Sequence, residues 1–211
     1  MFENGMPMRK QSEAKRLEVL WTGDFGREYT RRNSEVTPST GTFHHALGRQ
    51  LEARRILEVG CNIGLNLTRL AADGHFAVTG IDLNGYALQE ARRRLPHANL
   101  LRATAYRLPF ADESFDLVFT CGVLIHIPPE SLDDAIREIH RVSRRWIWCG
   151  EYFSEHLTEV PYRGEKGALY KCDFGASYLD LLPDLELVRR GTLAKESTGF
   201  DNLETWLFKK G

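Results

Sequence analysis

Two short patterns bring together residue types suited to holding a nucleoside. The first is Glu58-Val59-Gly60-Cys61-Asn62-Ile63-Gly64, an acid two residues before a glycine with a second glycine four residues further on. Glycine lets a backbone turn sharply and approach a ligand with no Cβ in the way. The second is Asp82, 22 residues beyond Gly60, where a carboxylate can accept hydrogen bonds from both hydroxyls of a ribose. The dinucleotide pattern GxGxxG needs glycines where Asn62 and Leu65 stand, which opposes a nicotinamide reading. The plain alternatives are a tight turn with no ligand and a solvated strand-end acid. Later in the chain, Thr120-Cys-Gly122-Val-Leu-Ile-His126-Ile-Pro128 offers an imidazole. It titrates near neutrality and suits a general base, or else a hydrogen-bonded packing role.

Short apolar runs alternate with helical patterns through the centre of the chain, the sign of βαβ units and a parallel sheet. Strands are expected at Arg55 to Val59, Phe76 to Asp82, Asn99 to Arg102, Phe115 to Thr120 and Trp146 to Cys149, the last running on towards Glu151. Leu65, Leu67, Leu70 and Ala71 give the first intervening helix an apolar side. Ala87, Leu88, Ala91 and Leu95 do the same after Asn84, a good N-cap. Pro128-Pro129 suits the start of a third helix, bearing Leu132, Ala135, Ile136, Ile139 and Val142. A short helix around Tyr178 to Leu182 precedes a closing hairpin of Leu185 to Leu193 with Thr205 to Lys209. The expected fold is α/β, a Rossmann-like doubly wound sheet of five parallel strands with a terminal antiparallel pair. Such sheets bind ligands beyond the carboxyl ends of their strands, where the winding reverses. Glu58, Asp82, Cys121, His126 and Glu151 all fall at or just after such ends.

The 211 residues suffice for one α/β domain, and no Pro/Gly/Ser-rich linker divides them. Lys+Arg 28 against Asp+Glu 29 argues against a nucleic-acid binder that relies on bulk charge. No apolar run reaches membrane-spanning length, and Met1 to Lys15 lacks the apolar stretch of a signal peptide, so a cytoplasmic protein is expected. Cys61, Cys121, Cys149 and Cys172 form no CxxC pair and read as reduced thiols. No metal is expected.

The glycine turn with Asp82, and the run Leu108-Pro109-Phe110 before Asp112-Glu-Ser-Phe115-Asp116, resemble class I S-adenosylmethionine-dependent methyltransferases. The flanks narrow the resemblance. Trp21-Thr-Gly23-Asp-Phe25-Gly26-Arg-Glu-Tyr29, Cys61 to Asn66, Gly122 to Ile127, Glu151-Tyr152, Pro161-Tyr162-Arg163-Gly and Lys171-Cys-Asp173-Phe174 together resemble the pseudaminic acid biosynthesis-associated methylases, from about Trp21 to Lys209. Lys171-Cys172-Asp173 departs from the more basic Lys-Arg-Asp expected there. The resemblance implies a cofactor pocket of Trp21, Glu58, Gly60, Cys61, Asn62, Gly64, Asn66, Asp82 and Cys121. Thr104 and Ala105 would stand at the adenine edge, and Leu83 would be an apolar wall. It further implies an acceptor side of Tyr29, Tyr152, Tyr162, Arg163 and Lys171, with His126, or in reserve Glu151, as catalytic base.

Trp21, Phe25 and Tyr29 recur at i, i+4 and i+8, which fits a helical lid whose ring faces favour a sulfonium, and fits equally a packing helix; Gly23 and Gly26 interrupt the pattern. A single methyltransferase domain over 1–211 is expected, with an N-terminal lid or helical segment over 1–45, a cofactor-binding core over 46–153 and a substrate-side insertion with closing hairpin over 154–211. The function expected is methyl transfer to oxygen or nitrogen of a small polar acceptor, such as a sugar or sugar nucleotide. The rivals are a non-catalytic or regulatory S-adenosylmethionine-binding module and a methyltransferase for another small metabolite. Small-molecule substrates, no nucleic acid and no membrane are the expected partners; the sequence sets no oligomeric state.

Overall fold

The computed structural model describes residues 12–34, 40–198 and 202–211. Two helices open it, α1 (Glu13–Thr22) and α2 (Asp24–Asn33), followed by α3 (Thr40–Gln50). The alternating core is β1 (Arg55–Val59), α4 (Thr68–Ala72), β2 (Ala77–Asp82), α5 (Gly85–Arg94), β3 (Asn99–Arg102) and β4 (Phe115–Cys121). A single 3-10 turn at Leu124–His126 then leads to α6 (Pro129–Val142) and β5 (Ser143–Glu151). A small antiparallel pair, β6 (Thr158–Glu159) and β7 (Tyr170–Lys171), precedes α7 (Phe174–Leu181). The chain closes with β8 (Leu185–Leu193), α8 (Lys195–Thr198) and β9 (Leu203–Lys210).

Seven strands form one sheet in the order β3-β2-β1-β4-β5-β9-β8. The first five are parallel, and β9 runs antiparallel to both β5 and β8. The expected sheet and closing hairpin are both present. Because successive side chains on a strand point to opposite faces, each central strand feeds two cores. Ile56, Leu117 and Phe119 pack with Leu47, Leu67, Leu88 and Trp148 on one face. Leu57 and Val118 pack with Ile136, Ile139, Tyr178 and Phe208 on the other. Strands covered on both faces read as continuous apolar runs, as RILEV and FDLVFT do.

Two local expectations are corrected. The segment after β1 is helical only over Thr68–Ala72. Gly60, Asn62 and Gly64 adopt left-handed conformations (φ 76°, 47° and 76°), so the chain is still turning where a helix would begin. The aromatic stretch Trp21 to Tyr29 is two helices rather than one. The Gly23 N–H bonds back to Val19 and Leu20, and its ψ of −156° breaks the axis.

Candidate functional site

The winding of the sheet reverses between β1 and β4, and a cavity opens at the carboxyl ends of β1, β2 and β4. One half of it is backbone. Gly60 and Cys61 both donate N–H bonds to the Ile81 carbonyl, at 2.9 and 2.8 Å, which ties the turn to β2. The Asp82 carboxylate accepts from the N–H groups of Asn62 and Asn84, each at 2.8 Å. The Asn84 side chain caps α5 through Tyr86 and Ala87. Burial raises the Asp82 pKa, and those N–H groups pull it back. Glu58 is more perturbed: burial pushes its carboxyl up to about 8, against a bond from Asn66 Nδ2 to Oε1 at 2.7 Å. Its Oε2 is buried with no partner.

Leu83, Thr104, Ala105, Cys61 and Cys121 line the same half. The Thr104 loop is held by α6, where Arg141 donates to the carbonyls of Leu108 and Phe110 and Glu138 accepts from the Leu108 N–H. Gly64 stands apart from the cavity wall: a Cβ there would meet Leu95 Cδ1 at 2.4 Å, so this glycine lets α5 pack close. At Gly60 a Cβ would meet Val123 Cγ2 at 2.4 Å on the cavity side.

The other half is made of rings. Trp21 lies 4.4 Å from His126, 5.3 Å from Tyr29 and 5.2 Å from Phe25, centroid to centroid. Tyr162 closes the group at 5.2 Å from His126. Trp21, Phe25 and Tyr29 are half-buried, outside both sheet cores. Burial beside Tyr162 pushes the Tyr29 phenol up to about 12, so it stays protonated. His126 sits on the 3-10 turn, and its Nδ1 lies 2.7 Å from the Ala168 carbonyl. A carbonyl only accepts, so Nδ1 carries the proton and Nε2 the lone pair. Burial lowers the His126 pKa to about 4, and the imidazole is neutral at pH 7.

Glu151 is fully buried at the end of β5, behind that turn and outside the cavity lining. Burial raises its pKa to about 7, opposed by the N–H groups of Leu124, Val123 and Ile125. Tyr152 lines the cavity, whereas Lys171 stands 5.2 Å from the Tyr152 ring in a separate cleft. Arg163 is exposed and outside the lining. The four cysteines are free, and no group of three metal-ligating side chains occurs among the described residues. Among them, too, no helix is long and apolar enough to cross a membrane.

Residues 56–145 match the family described as a methyltransferase domain. Magnesium protoporphyrin IX methyltransferase from Synechocystis PCC 6803, solved with S-adenosylmethionine bound, superposes with a TM-score of 0.72 at 12% identity, covering 97% of this chain and 100% of that one. The fold is that of the class I methyltransferases. The 1,6-didemethyltoxoflavin-N1-methyltransferase of Burkholderia thailandensis superposes with a TM-score of 0.73 at 14% identity, over 97% of this chain and 93% of that one. In sequence, cycloartenol-C-24-methyltransferase of Arabidopsis thaliana is 25% identical over 198 residues, 86% of this chain and 52% of its own. The chain spans 38%, 40% and 52% of three such curated relatives.

In this methyltransferase fold the cavity residues fit S-adenosylmethionine. Asp82 lines the cavity and is held by two backbone N–H groups, Glu58 Oε2 is buried without a partner, and Gly60 lets the turn lie against Val123, where a Cβ would clash. Sequence reasoning missed Glu18, Thr30, Asn33, Tyr106 and Leu203, which also line the cavity. The Thr30 hydroxyl, 3.3 Å from Asn62 Oδ1, links α2 to the glycine turn. Tyr106 directly follows the Thr104-Ala105 pair and was within reach of the pattern; nothing near Leu203 pointed to a site.

Proposed function

We propose that the protein transfers a methyl group from S-adenosylmethionine to an oxygen or nitrogen of a small acceptor. The observation that carries this reading is the joined turn of Glu58, Gly60, Asn62 and Asp82 at the sheet's switch point. When bound, S-adenosylmethionine supplies an electrophilic sulfonium methyl, lost to a nucleophile with the carbon–sulfur electron pair left on sulfur. Asp82 holds the ribose, Glu58 and Asn66 line the wall facing the cationic end, and Leu83, Thr104 and Ala105 flank the adenine. Cys61 and Cys121 complete that wall as small side chains, while Gly64 supports it by letting α5 close in. Trp21 with α1 and α2 covers the cavity and excludes water.

His126 Nε2 accepts a hydrogen bond from the acceptor's hydroxyl or N–H and so aligns the acceptor's lone pair on the methyl; the proton released on transfer leaves to water when the cavity opens. With its pKa near 4 it orients more than it deprotonates. Glu151 acts through the turn that carries His126. Tyr29, Tyr152 and Tyr162 form the acceptor wall, with Arg163 and Lys171 at its margin. The resemblance to pseudaminic acid-associated methylases supports a sugar or sugar nucleotide as acceptor. The free cysteines support a cytoplasmic setting. Calorimetric titration with S-adenosylhomocysteine and with NAD tests the reading. Binding of the first alone is expected, and binding of NAD alone would overturn it.

A further inference from the structure

The acceptor half of the cavity has a chemical character of its own. Among the described residues lining the cavity there is no lysine or arginine, and on this half Glu18 contributes a carboxyl group. The neighbouring cations stand outside the lining, Arg163 over the Tyr162 ring at 5.7 Å. Lys15 pairs with Glu18 at 3.0 Å, and Arg16 binds Glu13 and the carbonyls of Lys166 and Gly167. Lys171 faces a separate cleft. A phosphate or carboxylate entering this half would lose its water and meet no cation within the lining. Rings, by contrast, are abundant: Trp21, Tyr29, Tyr162 and the neutral His126 lie within 4.4 to 6.5 Å of Trp21 or of one another.

Two polar handles stand among these rings. The Trp21 Nε1–H is buried without a partner. His126 keeps its Nε2 lone pair because Nδ1 donates to Ala168. One is a donor and the other an acceptor. A ligand that satisfies both carries a ring heteroatom or carbonyl together with a hydroxyl or N–H.

We propose that the acceptor is a flat ring compound, neutral or cationic, seated against the ring wall that Trp21, Tyr29 and Tyr162 present to the cavity, and that phosphorylated and carboxylated acceptors are rejected. The proposal rests on the methyl-transfer reading for the identity of the site, and it turns against the sugar nucleotide that the family resemblance supports. Flat rings offer stacking faces to the aromatic wall, and a cationic ring adds attraction to the same faces and to Glu18.

The test uses the full chain saturated with S-adenosylhomocysteine and titrated calorimetrically with three probes: 2-naphthol, N-methylquinolinium and 2-naphthyl phosphate. The two non-anionic rings are expected to bind at least about tenfold more tightly than the phosphate ester. Tyr162→Ala should weaken 2-naphthol by about fivefold or more, and Tyr162→Arg should shift the preference towards the ester. Equal or tighter binding of the ester by the unaltered chain overturns the proposal and moves the acceptor towards Lys171. Failure of both rings to bind overturns it too. If S-adenosylhomocysteine itself does not bind, the methyl-transfer reading fails instead, and the same three probes on the chain alone still decide whether the ring site exists.

Discussion

On one side of the cavity, Gly60, Asn62 and Asp82 belong to two adjacent strand ends and fix one another through backbone N–H groups. On the other, Trp21, Tyr29, His126 and Tyr162 come from three separate stretches of chain and meet through ring contacts. The first side is built by hydrogen bonds that accompany the sheet, so it forms whenever the sheet does. The second depends on α1 and α2 docking and on the β6–β7 segment folding over the 3-10 turn. A protein built this way can hold one nucleoside geometry constant while its acceptor wall varies.

The largest expected effect separates the two sides outright. Deleting the chain through Asn33 removes Trp21, Phe25 and Tyr29, with the buried Leu17, Gly26 and Thr30, but no strand and no member of either sheet core among the described residues. S-adenosylhomocysteine affinity should fall by more than about a hundredfold while a cooperative thermal transition remains. Loss of that transition would mean that the helices belong to the core and that the two sides are not separable.

Within the backbone side, Asp82→Ala should cost about 1.5–3 kcal/mol, roughly ten- to a hundredfold in S-adenosylhomocysteine affinity. Gly64→Ala is the contrasting change. Its φ of 76° and the Leu95 contact at 2.4 Å make it destabilising by about 1–3 kcal/mol, yet Gly64 lies off the cavity wall. Thermal melts and calorimetry on both variants should give opposite signatures. Unchanged affinity in folded Asp82→Ala would sink the ribose placement.

These two variants also mark how much of the molecule was legible in the chain. Glu58, Gly60 and Asp82 announced themselves because strand periodicity and a fixed spacing place them together without reference to anything distant. The five parallel strands were readable for the same reason. Arg163 and Lys171 sounded like anion grips by residue type alone, but a charge finds its place only through the tertiary path, and the path leaves both outside the cavity lining. Gly64 fitted a binding motif and turned out to face Leu95. The pinning of the Thr104 loop by Arg141 and Glu138 spans about thirty residues of chain, and no local pattern encodes it.

On the ring side, His126→Asn should lower kcat by about a hundredfold with S-adenosylhomocysteine affinity retained. Because burial keeps the imidazole pKa near 4, kcat of the unaltered protein should show no His126 step between pH 6 and 8. A loss below about tenfold in single-turnover assays would make His126 a packing residue and leave approach geometry as the main catalytic device.

The smallest effect concerns the support of that imidazole, and it appears in stability rather than in chemistry. Glu151 and Glu58 have folded pKa values of about 7 and about 8, above the ordinary 4.5. A raised carboxyl pKa stabilises the fold below the unfolded value, and that contribution is lost as pH rises through the folded one. His126 runs the other way: its pKa of about 4 lies below the ordinary 6.5, so its contribution is complete above 6.5 and is lost as pH falls towards 4. Between pH 5 and 6.5 the two tendencies oppose, and above 6.5 only the glutamates act, so the melting temperature should fall from pH 6.5 to 8.5. Glu151→Gln is neutral at every pH and keeps an oxygen for the N–H groups of Val123 to Ile125. It should therefore remove on the order of 1–3 kcal/mol of the pH dependence between pH 5 and 7, about 2–4 °C for each kcal/mol. Calorimetric melts across that range compare the two proteins directly. Parallel curves would show that Glu151 is already ionised behind the turn, and that the turn presents His126 by a charge rather than by a neutral carboxyl.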